Sequence, residues 1–209
     1  MIKTIALNMA KNLGDILDSE ETIEVYAYAL QLVLTSVLNL ILILLAAFWL
    51  KIIPTTLAFL AVFIPFRSFG GGVHLNTIPR CMVVGSFLIL GSAYLATENG
   101  IQLYWLYILF LLSLLFTLLC IAKWVPAGTE KNPVRDPKIV RMQKRNMLIT
   151  TAAGTGLVDV FILSGYNDLA LAMIAGAIIS AVLISPPGFY LMGFIDRILN
   201  NFGKGVINS

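Results

Sequence analysis

His74 and Cys81 are the two side chains of this sequence that could perform thiol chemistry together, and they close the stretch Arg67-Ser68-Phe69-Gly70-Gly71-Gly72-Val73-His74-Leu75-Asn76-Thr77-Ile78-Pro79-Arg80-Cys81. This stretch holds the sole histidine of the chain, a triple glycine, two arginines and one of the two cysteines. Thiol catalysis works through the thiolate, which a free cysteine populates only in part near neutral pH. Three features here would favour the charged form. Arg80 adjoins Cys81, His74 can accept the proton, and Pro79 suits the first turn of a helix that Asn76 or Thr77 could cap, so a helix N-terminal dipole would act on the sulfur. Gly70, Gly71 and Gly72 can take positive φ and turn backbone N–H groups toward one point, as an oxyanion site requires. Arg67 and Arg80 are further candidates for binding substrate or the oxyanion.

Spacing adds a condition. Along one continuous helix a seven-residue step would leave His74 and Cys81 on one face but about 10 Å apart along the axis. The pair can meet only if the chain folds back between them. Each residue alone has an ordinary explanation: an interfacial histidine, a glycine turn, a small apolar thiol. Their coincidence within fifteen residues is what argues for a site. Cys120, set among leucines and isoleucines, reads as a packing thiol.

The elements that must position these residues are membrane spans. With 59% hydrophobic and 12% charged residues and a mean hydropathy of +0.91, the chain lacks the charge to build a water-facing surface. Apolar segments run over about 25–50, 52–66, 82–97, 101–122, 146–164 and 168–190, the second and third being short. The expected fold is all-α, with about six transmembrane helices and an N-terminal amphipathic helix. Residues 1–209 form one membrane-embedded domain, comprising an interfacial helix at 1–22, a catalytic segment at 67–81 and a basic loop at 123–145. The alternation of Ile2, Ile5, Leu7, Met9, Leu13, Ile16 and Leu17 fits a helix lying on a membrane surface or packed on the bundle. Whether 67–81 is a loop or partly re-entrant stays open.

Basic residues orient the spans. With the N-terminus cytosolic, Lys3, Lys11, Arg67, Arg80, Lys123, Lys131, Arg135, Lys138, Arg141, Lys144, Arg145, Arg197 and Lys204 fall inside, and only Lys51 outside. This predicts a cell-membrane protein with both termini and the 67–81 segment on the cytosolic side. The loop Lys123–Arg145 carries seven Lys/Arg and two acids. Its charge suits a topology determinant and attraction to anionic lipid, and could also hold an acidic peptide. Small residues at four-residue spacing, Ala172/Gly176/Ser180 and Ala152/Gly156, mark close helix contacts within the chain or between two copies.

Other chemistries fit poorly. An HExxH zinc site needs two histidines, and the paired aspartates of an intramembrane aspartyl protease are missing. Asp159 is the lone acid well inside a span, where an acid is either functional or held by a local bond, here to Thr155 or to a neighbouring helix. A small transporter or channel component using Asp159 and the glycine-rich segment is the alternative reading. No metal, cofactor or nucleic acid is expected.

The residues Arg67, Gly72, His74 and Cys81, with the Pro-Ala-Gly-Thr-Glu-Lys-Asn-Pro stretch at 126–133 and six spans, resemble the AgrB family of membrane peptidases of bacterial quorum sensing. The resemblance covers most of the chain. It implies a cysteine endopeptidase that cleaves an AgrD-like precursor peptide near its C-terminus and closes the upstream part into a ring. Cys81 would be the nucleophile, His74 the base, and the ring would form from an acyl-thioester without ATP. A homodimer is implied as well.

Overall fold

The computed structural model describes residues 2–12, 20–73, 75–98, 100–127 and 136–207. Among them are eight helices and no strand: α1 (Ile2–Asn12), α2 (Glu20–Trp49), α3 (Ile53–Gly70), α4 (Ile78–Glu98), α5 (Leu103–Trp124), α6 (Pro137–Leu163), α7 (Asn167–Ile184) and α8 (Pro186–Ile207). Six of these, α2 to α7, are long and apolar enough to cross a membrane. The chain divides into two compact units, Met1–Trp49 and Leu50–Ser209.

In the first unit α1 packs on α2. It buries Ala6 and Ala10, four residues apart on one face, and leaves Ile5 and Met9 exposed. The amphipathic helix expected at 1–22 is thus an eleven-residue helix, while 13–19 lie outside the described residues.

The second unit is built around α7, which packs against α3, α4, α5, α6 and α8. Ala172, Gly176 and Ser180 are all buried. A Cβ on Gly176 would come within 2.8 Å of the Phe59 carbonyl oxygen, so α3 approaches α7 backbone to backbone at this point. Of the two small-residue faces, this one is spent inside the chain. Ala152 and Gly156 on α6 are exposed, with nothing within 4 Å of a Cβ at Gly156. Large apolar residues on the outside of α5, Leu111, Leu112 and Leu115 among them, are exposed, as a lipid-facing surface requires.

Helix limits depart from the apolar segments in ways that matter for the site. α3 runs four residues past Phe66, taking Arg67 into its last turn. α6 starts at Pro137 with the Asp136 side chain accepting from the Lys138 N–H at 2.8 Å, so the second half of the basic loop is helical. The last apolar segment, about 168–190, divides into two helices at the Pro186-Pro187-Gly188 run, which on sequence grounds ends the last span. α7 stops at Ile184, Ser185 bonds back to Ala181 and Val182, and Pro186 and Pro187 cannot continue the ladder because they lack an N–H. They open α8 instead, where a fixed φ suits the first turn.

Candidate active site

Three helix ends meet around the glycine run. Gly70 closes α3, and Gly71 (φ 73°) and Gly72 (φ 116°) turn the chain out of it. The Gly70 carbonyl accepts from the Ala127 N–H at 2.8 Å, and the Gly72 N–H donates to the Ala127 carbonyl at 3.1 Å. Residue 127, just past α5, therefore grips the backbone on both sides of Gly71. The Val73 N–H donates to the Leu183 carbonyl in the last turn of α7, at 3.1 Å. A Cβ at Gly71 would lie 2.6 Å from the Ala127 oxygen, and one at Gly72 would lie 2.8 Å from the Leu183 oxygen and run into the Arg67 guanidinium. Both positions combine positive φ with backbone contact, which only glycine supports.

Arg67 ties the same segment from the other side. Its Nη1 donates to the Gly71 carbonyl and its Nη2 to the Val73 carbonyl, each at 3.0 Å. One planar guanidinium thus fixes two carbonyls that flank Gly72, a geometry suited to its rigid fork. The same guanidinium lies within Coulombic reach of Cys81.

Cys81 is the fourth residue of α4, and its N–H makes the first intrahelical bond, to the Thr77 carbonyl at 3.2 Å. It sits at the positive end of that helix. The side chain is half-buried and packs on the cluster of Leu75, Leu183 and Met192. Cys120, by contrast, is buried in α5, with Sγ 3.5 Å from the Ala181 carbonyl.

His74 lies outside the described residues. Its neighbours are both anchored: Val73 by Leu183 and Arg67, Leu75 by burial against Leu183 and Met192.

Asn76 and Arg80 turn to α8. The Asn76 amide, a possible cap for α4 on sequence grounds, donates to Asp196 Oδ2. Arg80 Nη1 reaches Asp196 Oδ1 at 3.1 Å and Asn200 Oδ1 at 2.6 Å. The Asp196 side chain is only 8% exposed. Neither Asp196 nor Asn200 stands out by composition. The signal that could have found them is spacing: Gly188, Met192, Asp196 and Asn200 recur every fourth residue after a Ser-Pro-Pro start, which is one face of a helix.

Beyond Ala127 opens a groove of about 580 Å³, lined by Lys123 and Trp124 of α5 and by Phe189, Tyr190 and Arg197 of α8. Asp159 lies half-buried on α6, where the Thr155 hydroxyl donates to the Thr151 carbonyl at 2.8 Å.

The sequence matches the family described as Accessory gene regulator B over residues 2–185. A protein of Lactiplantibacillus plantarum, named as AgrB-like, is 28% identical over 156 residues, covering 74% of each chain. No solved structure matches. With a match spanning nearly its whole length, the chain belongs to the Accessory gene regulator B family.

Proposed function

We propose that this protein is a membrane cysteine endopeptidase that cleaves an AgrD-like precursor and cyclises the product. The observation that carries the reading is that Cys81, a half-buried thiol in the first turn of α4, packs on the same apolar cluster as Val73 and Leu75, the two neighbours of His74, while Arg67 holds the 71–73 backbone. Cys81 Sγ attacks the scissile carbonyl, the C–N bond breaks, and His74 passes the thiol proton to the leaving amine. A thiol or hydroxyl within the bound peptide then attacks the acyl-thioester. The ring bond forms, the C–S bond breaks, and Cys81 recovers a proton. The apolar packing around Cys81 limits water, which would otherwise hydrolyse the thioester. Arg67 supplies a cation within Coulombic reach of the sulfur, which carries charge as it attacks and leaves. Gly70, Gly71 and Gly72 serve here as close-approach positions; a role for Gly72 as oxyanion donor requires its N–H to leave Ala127.

The groove beside Ala127 suits an amphipathic, acidic peptide segment, with Lys123 and Arg197 for carboxylates and Trp124, Phe189 and Tyr190 for apolar side chains. The charge split of the loops supports a cytosolic location for this surface and for both termini, and its basic residues also suit anionic lipid. A homodimer would use the open Ala152/Gly156 face of α6.

The direct test is processing by membranes carrying Cys81→Ala or His74→Ala. Each variant should accumulate normally and release no product from the precursor. Normal processing by either one rejects the mechanism.

A further inference from the structure

α8 follows the residues that match the family, which end at 185, yet three side-chain hydrogen bonds join it to the segment bearing Cys81. Asp196 is almost wholly buried and uses both carboxylate oxygens there, Oδ2 for the Asn76 amide and Oδ1 for Arg80. Asn76 precedes the first turn of α4, and Arg80 is the residue before Cys81. The two partners lie four residues apart and bracket the point where the chain enters the helix. Arg80 also takes Asn200, one turn further along α8, and Met192, one turn earlier, packs with Leu75 and Leu183. One face of α8 thus touches residues 75, 76 and 80 together.

A carboxylate this buried is stable only while paired, and removing one partner leaves an uncompensated charge or donor. The contact is therefore stiff, and it lies at the place where 74 and 81 must be brought together by a fold in the chain. We propose that Asp196 is a positioning residue for the Cys81 site: by holding Asn76 and Arg80 on α8, its carboxylate fixes the entry to α4 and so the placement of the thiol relative to Val73 and Leu75. This rests on the reading of Cys81 as the nucleophile.

The test uses the full chain in a Cys120→Ala background, with Asp196→Asn, Asp196→Glu and Asn76→Ala, each normalised to folded protein by size-exclusion chromatography. Two quantities are read: kcat and KM with precursor peptide, and the rate of iodoacetamide alkylation at Cys81 without it. Asp196→Asn should lower kcat about tenfold or more with KM within about threefold, while changing the alkylation rate, and Asp196→Glu should regain most of the loss. If Asp196→Asn fails to fold, Asn76→Ala carries the test, with kcat down about threefold or more and alkylation changed in step. Fewer folded molecules of unchanged kcat and unchanged alkylation would reduce Asp196 to a fold pin and overturn the proposal. Alkylation needs no precursor, so it reads the geometry even if Cys81→Ala still processes peptide, an outcome that sinks the enzymatic reading instead.

Discussion

Arg67 Nη2 donates to the carbonyl oxygen of Val73 at 3.0 Å, so a side chain from the last turn of α3 holds the residue that immediately precedes His74. Together with Nη1 on Gly71, this makes Arg67 a brace for residues 71–73 as well as a charge within Coulombic reach of Cys81. The two roles separate under substitution. Arg67→Lys keeps the charge but cannot span two carbonyls, since an ammonium lacks the planar fork. Losing that second charge-assisted bond should lower kcat/KM about tenfold to a hundredfold. Steady-state processing of precursor by membranes carrying this variant checks it, and near-normal activity would leave only the charge as important.

Gly72→Ala forces a Cβ to within 2.8 Å of the Leu183 oxygen at a φ of 116°. A cost of about 1–3 kcal/mol is expected from the backbone alone. Gly85→Ala, in the body of α4 with nothing within 4 Å, should be neutral or stabilise by up to about 1 kcal/mol through helix propensity. Thermal unfolding midpoints in detergent read both, and equal midpoints for the two variants would refute the packing role of Gly72.

Gly176→Ala presses on the Phe59 carbonyl and should destabilise the α3–α7 contact by about 1–3 kcal/mol. Gly156→Leu meets open space in the monomer and should leave its unfolding midpoint unchanged while weakening self-association. Cross-linking in native membranes reads the second effect; a dimer that survives Gly156→Leu intact would remove α6 from the interface.

Charge reversal in the groove, Lys123→Glu with Arg197→Glu, should raise KM for a precursor with an acidic segment about tenfold while leaving kcat within about twofold. Added salt should raise KM of the unchanged protein and flatten the difference. An equal loss in kcat would mean that the groove acts on the chemistry rather than on binding.

The spans were legible because hydropathy is a sum over many residues, and six helices of the required length and apolarity are present. The prolines at 186 and 187 mark the end of the last span, but Phe189 to Ile195 are apolar and the residues beyond mixed, so the helix that the prolines open is not legible as a separate element. Gly71 and Gly72 do take positive φ, but positive φ serves an anion nest and a close backbone approach equally, and periodicity cannot tell them apart. That the Asn76 amide donates to Asp196 depends on a contact 120 residues away. No local pattern encodes it.

The central claim is that the peptide passes through a thioester on Cys81. The most direct measurement is intact-protein mass spectrometry after incubation with a precursor whose ring-closing nucleophile is replaced by alanine. An adduct of the N-terminal fragment mass should accumulate, map to Cys81 and be released by hydroxylamine. Cleavage of that precursor without any adduct, or an adduct on Cys120 or on no cysteine, would contradict the account.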